Sequence, residues 1–395
     1  EKGDTLRTIK SYDVPIFDVH FNNDETQILS SSWDGTLKIH EASTGKRLHF
    51  FKLDEGSAYQ SQFSRNNLYV FTATLNEGLD RLQMREIDTK KIVRKFEGHT
   101  ETISSLQLSQ DGKRLLTSSW DGSIRLWDIA TGLTERKFTG TQGAVHAAIF
   151  NFSEKFIFTA GADRTIRMWE TDTGKLVKTF IGHQGEVTSL QLTSDEKMLI
   201  SHSLDGATKF WDLTSEKEFF EHIHFGEKEW MVKTPEGYFN GTQDARGFIH
   251  FVDGMKTYSV DQFFDEFYRP DLLPKLFQNR GGDDGYKGIQ GKLQKSPPPT
   301  VKVAALLSTD PGKAEVYVKI LDNGAGAKDL KLFHNGKSVL LDKESLKLPN
   351  GKDQSTTYRH MLSLINGNNT FSATAYNRDR IESDPNSVEL FSEQT

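Results

Sequence analysis

Two sets of side chains in this chain stand at one spacing. His99 is followed by Asp121 after 22 positions and by Trp127 after 6 more, and His183, Asp205 and Trp211 repeat the same 22 and 6. Between them Asp163 and Trp169 keep the 6, with Thr141 in the place of the histidine. A His–Asp pair is capable of chemistry: the carboxylate fixes the imidazole tautomer, and with a nucleophile the pair becomes a hydrolytic relay. The same pair also serves a fold, because a carboxylate buried at a turn must be hydrogen-bonded. Recurrence favours the structural role. The pair returns at a fixed interval and no nucleophile returns with it.

Other chemistry is sparse. The chain has no cysteine, which removes disulfides, thiolate metal sites and a cysteine nucleophile. The glycines of GGDDGYKG follow no strand pattern and open no helix pattern, so they read as linker and not as a phosphate loop. No HExxH occurs. His222 and His224 would share one side of a strand, with His202 as a conceivable third metal ligand, although such pairs are mostly structural or solvated. Asp283 and Asp284 read as solvated linker charges, and LDNGAGAKD lacks the alternating carboxylates of a calcium loop. No catalytic residue, metal site or cofactor is expected.

The elements that must position the His–Asp sets are repeats. SSWDG occurs at Ser31–Gly35 and again at Ser118–Gly122, 87 positions apart. Aligned on it, LLTSSWDGSIRLWDIATG is echoed by FTAGADRTIRMWETDTG, LISHSLDGATKFWDLTSE and ILSSSWDGTLKIHEASTG. Each block reads as strand, Asp-containing turn, alternating strand, aromatic–acidic pair and polar turn, which is a hairpin pattern. Trp127, Trp169 and Trp211 are 42 apart; His40, Arg85 and Val252 mark three weaker blocks. A period near 40 with about four short strands per unit indicates a β-propeller. The blocks resemble the WD-repeat family over roughly residues 4 to 255. The resemblance implies an all-β fold of six or seven blades, six of them recognisable. It also implies that His99, Asp121, Trp127, Asp163, Trp169, His183, Asp205 and Trp211 lock their blades. The residue just ahead of the turn would lie on the top face, which makes Trp33 and Trp120 candidate exposed anchors for a protein partner. Packing against neighbouring loops is the alternative for both. Gly3–Lys10 resembles an outer strand. It would either close a ring against the Val252 block or belong to a further blade upstream of Glu1.

Beyond the repeats, SVDQFFDEF suggests a short helix with a capping box from Ser259 to Gln262 and an aromatic face turned to the propeller. Residues 278–299 are rich in Gly, Lys and Pro and read as a linker. From Thr300, six or seven short alternating runs suggest an immunoglobulin-like β-sandwich. The expected domains are therefore 1–258 for the propeller, 259–299 for helix and linker, and 300–395 for the sandwich. The order of a W…TPEGYF…FYRPDLL segment, a proline linker and a module with LFHNGK and NTFSATAYN resembles the non-catalytic region of bacterial caspase-like proteases. That resemblance implies a recognition or regulatory scaffold whose partner is a caspase-like protease domain, its activator or its substrate. A hydrolase with an acidic or histidine site in the propeller channel, or an envelope protein, are the competing readings. The net charge of −6 argues against a nucleic-acid partner, and no apolar run is long enough to span a membrane. A cytoplasmic location is the expectation, with a removed leader left open because the chain starts at Glu1.

Overall fold

The structure is a computed structural model that describes residues 7–9, 12–53, 56–75, 82–253, 256–270, 295–341 and 347–393. The chain forms two compact units, Glu1–Phe219 and Phe220–Thr395.

The first unit is a series of antiparallel meanders. Sheet I contains Ile16–Phe21, Gln27–Ser32, Thr36–Glu41 and Arg47–Lys52 (β1 to β4). Sheet II contains Ser57–Phe63, Tyr69–Leu75, Leu82–Glu86 and Ile92–Lys95 (β5 to β8). Sheet III runs through Ile103–Leu108, Arg114–Ser119, Ile124–Asp128 and Thr134–Phe138 (β9 to β12), and sheet IV through Val145–Phe150, Phe156–Gly161, Thr165–Glu170 and Leu176–Ile181 (β13 to β16). Sheet V opens with Val187–Leu192, Met198–Ser203 and Ala207–Asp212 (β17 to β19); Lys217–Phe225 (β20) then carries the chain into the second unit.

Each of β5, β9, β13 and β17 packs on the first two strands of the preceding sheet. The alternation of the strands explains this, because successive side chains face opposite neighbours. Ile103 and Leu108 of β9 are buried with Phe71, Ala73 and Phe96 of sheet II, and Val145 and Phe150 of β13 with Leu116, Ile124 and Phe138 of sheet III. The repeat thus buries each sheet's apolar face on its neighbour, the blade packing expected of a propeller. All five first strands carry a one-residue bulge at the same place, which leaves Phe17, Tyr59, Ser104, His146 and Thr188 unpaired.

Several expectations need correction. The Val252 block is no sixth four-stranded blade: His250–Asp253 (β23) and Lys256–Ser259 (β24) form a two-stranded hairpin. Residues 220–258, assigned to the propeller by the repeat rhythm, belong to the second unit. There Glu229–Lys233 (β21) and Phe239–Gly241 (β22) pair through the TPEGYF turn. The helix is shorter than its aromatic spacing suggests, a 3-10 turn at Val260–Phe263 followed by Phe264–Phe267 (α1). Gln262 makes no capping box; its amide donates to Asp384 at 2.7 Å. Phe267 is buried in a cluster with Met231, Tyr238, Phe239, Tyr258 and Ile381, all within the second unit.

Most of the expected linker lies outside the described residues. Its triple proline does not behave as a spacer: Pro298 and Pro299 are buried, and buried Asn377 donates to the Ser296 carbonyl at 2.8 Å. Seven strands follow among the described residues. Thr300–Leu307 (β25), Lys313–Leu321 (β26) and Ser355–Ser363 (β29) form one sheet in the order β25-β26-β29. Ala327–His334 (β27), Lys337–Val339 (β28), Gly367–Asn377 (β30) and Asn386–Ser392 (β31) form another, in the order β28-β27-β30-β31. Val316, Val318, Ile320, Leu332 and Phe371 from both sheets meet in one apolar core. Buried Asp322 accepts the amides of Gly324, Gly326 and Gly351, so that carboxylate organises loops.

Candidate protein-docking face

The His–Asp sets resolve into four-residue chains. In sheet III the Trp127 indole N–H reaches Thr117 Oγ1 at 2.8 Å, Thr117 Oγ1 lies 2.7 Å from His99 Nε2, and His99 Nδ1 lies 3.0 Å from Asp121 Oδ2. In sheet V the same chain runs Trp211, Ser201, His183, Asp205, at 2.9, 2.8 and 3.0 Å. The backbone amides of Thr100 and Gln184 complete each carboxylate. Burial lowers both histidine pKa values from the usual 6.5 and outweighs the pull of the facing carboxylates. A neutral imidazole that donates from Nδ1 to the carboxylate must accept at Nε2, so the hydroxyl donates there and accepts from the indole. Burial would raise the aspartates, but hydrogen bonds outweigh it. For Asp121 these come foremost from His99 and Ser123, and they hold it far below the usual carboxylate range. For Asp205 they come from the Gln184 and Ala207 amides and from His183, and the pKa falls to about 2.

Ser201, His183 and Asp205 therefore have the connectivity of a hydrolase triad. The hydroxyl settles its role: Ser201 and Thr117 are fully buried, and each already takes an indole N–H. Neither can reach an external carbonyl. Thr117 and Ser201 escaped the spacing argument, although both stand four positions ahead of the turn aspartate. In sheet IV, Trp169 donates to Thr159 at 2.8 Å, and Asp163 takes Arg167 at 2.6 Å where sheets III and V use histidine.

The turn fixes what precedes it. Asp34 accepts the amide of Thr36 at 3.0 Å, as Asp121 accepts that of Ser123 at 2.8 Å. Gly35 follows at φ 74°, where a Cβ would lie 2.3 Å from the Gly56 carbonyl oxygen. In sheets I, III, IV and V the residue ahead of the aspartate donates its amide to the loop before the first strand: Trp33 to Pro15, Trp120 to Thr102, Ala162 to Ala144 and Leu204 to Glu186. The backbone position is constant and the side chain is not.

Trp33 is 54% exposed and Trp120 42%. They are not isolated. Trp33 lies 5.5 Å from Phe17, Phe17 lies 5.1 Å from Tyr59, and Tyr59 lies 6.1 Å from Trp120, centroid to centroid. Phe17 and Tyr59 are the bulged residues of β1 and β5, so the bulge turns their rings toward the face that carries the tryptophans. The result is a line of four aromatics across sheets I to III. The remaining bulge residues are polar, and His146 pairs with Glu186 at 2.8 Å. Sequence reading missed Phe17 and Tyr59. Their signal was available, because PIFDVHF and SAYQSQF carry an aromatic where the later sheets carry Ser104, His146 and Thr188.

Of the conceived metal ligands, His222 and His224 stand 4.4 Å apart, ring to ring, and His202 bonds Thr208. Among the described residues no group of three metal-ligating side chains converges. Among the described residues no helix is long and apolar enough to cross a membrane.

Comparison with known proteins agrees with the repeat. The family profile of the WD domain, G-beta repeat, matches residues 3–41, 90–128, 132–170 and 174–212. Guanine nucleotide-binding protein subunit beta-1 of Drosophila melanogaster is 29% identical over 131 residues, 33% of this chain and 38% of that protein. The corresponding G(I)/G(S)/G(T) subunit of Homarus americanus is 28% identical over 130 residues, 32% of this chain and 38% of its own. The U3 small nucleolar RNA-associated protein 21 homolog of Schizosaccharomyces pombe is 31% identical over 119 residues, 30% of this chain and 13% of its own. The matched region spans well under half of each relative's length.

Proposed function

We propose that this chain is a protein-interaction scaffold whose docking site is the aromatic line Trp33–Phe17–Tyr59–Trp120. WD-repeat proteins generally act in this way, and the exposed tryptophans joined by two further rings are the observation that carries the assignment here. Rigid aromatics supply large contact area at low entropic cost, which is why they are enriched among the residues that dominate protein interfaces. The buried hydroxyls of the Trp–Ser/Thr–His–Asp chains speak against hydrolysis by those groups.

The narrower reading is that the scaffold serves a caspase-like protease system. It rests on the TPEGYF and FYRPDLL segments, the LFHNGK and NTFSATAYN runs and the immunoglobulin-like rhythm of the C-terminal strands. The two-sheet order beyond Thr300 is compatible with that module.

The test compares retained proteins. The chain and its W33A/W120A double variant are immobilised, exposed to extract of the source cells, and their bound proteins identified by mass spectrometry. One or more proteins held by the chain and lost from a normally folded double variant would support the docking site. Identical retention would remove it. A retained protein with a caspase-type catalytic domain would support the narrower reading.

A further inference from the structure

The chain contains five Asn–Gly pairs, at Asn240, Asn323, Asn335, Asn350 and Asn366. Such a pair can cyclise on itself. The glycine nitrogen lies within reach of the asparagine Cγ, and no glycine side chain shields it. A peptide N–H is a very weak acid and a carboxamide a poor electrophile. The step is therefore slow unless a base takes the proton and a donor meets the oxygen on which charge develops. At one pair the fold supplies both.

The base is Asp322, buried directly after β26. Its Oδ1 accepts the amides of Gly324 and Gly326 at 2.8 and 2.9 Å, and its Oδ2 accepts that of Gly351 at 2.5 Å. The loop that carries Gly351 is fixed on both sides. The Ala327 amide donates to the Pro349 carbonyl at 2.9 Å, and the Gln354 amide to the Gly351 carbonyl at 3.0 Å. The donor is Arg378, whose guanidinium bonds Asn350 Oδ1. A Cβ on Gly326 would lie 2.9 Å from Arg378 Nε and 3.2 Å from Asn350 Oδ1, so that glycine leaves the space in which the two meet. Asn350 is exposed, which gives a leaving group an exit and water an entry.

Two other pairs have part of this arrangement. The Gly324 amide faces the same Asp322 carboxylate, but the carboxamide nitrogen of Asn323, the group that must leave, is tied to the Pro298 carbonyl and to Thr300 Oγ1 at 2.6 and 3.1 Å. At Asn335 the carboxamide oxygen takes an uncharged donor, the Thr370 amide, at 2.8 Å.

We propose that Asn350–Gly351 is a site of self-modification, in which Asp322 is the base and Arg378 the oxyanion donor for closure of a succinimide. Asp322 Oδ2 takes the proton of the Gly351 nitrogen as that nitrogen bonds to Asn350 Cγ, and the carbonyl electron pair moves onto Oδ1 beside Arg378. The pair then returns and the Cγ–Nδ2 bond breaks. The departing nitrogen takes the proton back from Asp322 and leaves as ammonia. Water adds to one of the two ring carbonyls and breaks its bond to the glycine nitrogen, which yields aspartate or isoaspartate. Either product places a new carboxylate beside Arg378.

The five pairs serve as one another's controls. The chain is held at neutral pH, folded and in guanidinium chloride, and each Asn–Gly peptide is followed by mass spectrometry for loss of ammonia and for isoaspartate. Asn350 should convert faster than the other four in the folded chain, and faster there than in guanidinium chloride. Slower conversion in the folded chain would mean that the loop protects the pair, and would overturn the proposal. Arg378 is exposed, and Arg378→Gln should slow Asn350 at least tenfold, a conservative share of the roughly 100-fold that one oxyanion donor contributes. Arg378→Lys should recover part of that loss, because it restores the charge. An unchanged or faster rate in Arg378→Gln would show that the contact only holds the side chain still, and would overturn the assignment. Asp322→Asn keeps an acceptor in place without the base, and should bring Asn350 down to the rate of the denatured chain or below it. A rate that stays above it would remove Asp322 from the reaction.

Discussion

SSWDG at Ser31–Gly35 and SSWDG at Ser118–Gly122 are the same five residues in two different settings. The turn is common to both: the aspartate accepts the amide and hydroxyl of Thr36 in one and of Ser123 in the other. What differs lies 22 residues earlier. His99 in sheet III corresponds to Tyr12 in sheet I, Thr117 to Ser30, Arg125 to Lys38 and Trp127 to His40. Tyr12 donates to the Ser30 carbonyl at 2.9 Å and sits under the Lys38 ammonium at 3.7 Å, so it replaces the imidazole on the hydroxyl side. It does not reach Asp34, whose side chain keeps only its turn bonds and remains exposed. One pentapeptide is a structural lock in sheet III and a bare turn in sheet I. The tryptophan is exposed in both. Its exposure follows from the turn and not from the lock.

The largest test of this difference is Asp121→Ala. It removes the partner of buried His99, of the Thr100 amide and of Ser123 together, and should cost about 3 kcal/mol. Asp34→Ala loses an exposed turn bond and should cost about 1 kcal/mol. Urea unfolding of both variants decides the matter. Losses of equal size would mean that the His–Asp bond contributes nothing beyond the turn.

Acid should separate the two settings next. His99 and His183 are held neutral in the fold, so the unfolded chain binds more protons as pH falls below about 6.5, and stability declines there. The depressed carboxylates add a second loss as pH falls from about 4 towards 2, since Asp205 titrates at about 2 in the fold and Asp121 lower. Urea midpoints between pH 8 and pH 4.5 isolate the first stage. The H99N/H183N double variant should be weaker than the parent at pH 8 but lose less on acidification. A parallel decline in both proteins would exclude the histidines as its source.

The repeat was legible because it is periodic. Trp127, Trp169 and Trp211 mark a structural position that every sheet must fill, and a side chain required by packing recurs at the packing period. The period alone does not single out Phe17 and Tyr59, for the converse reason: the occupant of the bulge position changes from sheet to sheet, from Phe to Tyr, Ser, His and Thr, so only a strand-by-strand alignment shows their aromatic character. The blade assignment failed at Val252 because a β-hairpin strand ending in an apolar–acidic pair, Val252–Asp253, has the local rhythm of a blade while its sheet has only two strands. The prolines failed similarly. Composition marks Pro297–Pro299 as a spacer, and only the carboxamides of Asn323 and Asn377, which donate to the Pro298 and Ser296 carbonyls at 2.6 and 2.8 Å, reveal them as packed.

The smallest expected effect sharpens the comparison most. Trp33→Leu and Trp120→Leu keep an apolar side chain ahead of the turn, as Leu204 does naturally in sheet V, and remove only the ring contacts with Phe17 and Tyr59. Each should cost about 0.5 kcal/mol, the worth of one aromatic pair on a half-exposed surface. The two values should also agree, although one tryptophan stands beside a complete lock and the other beside a bare turn. A loss at Trp120 several times that at Trp33 would show that the sheet III ring supports its lock. The aromatic line would then be divided between a structural half and a binding half. Equal, small losses would instead leave all of the exposed aromatic surface available to a partner.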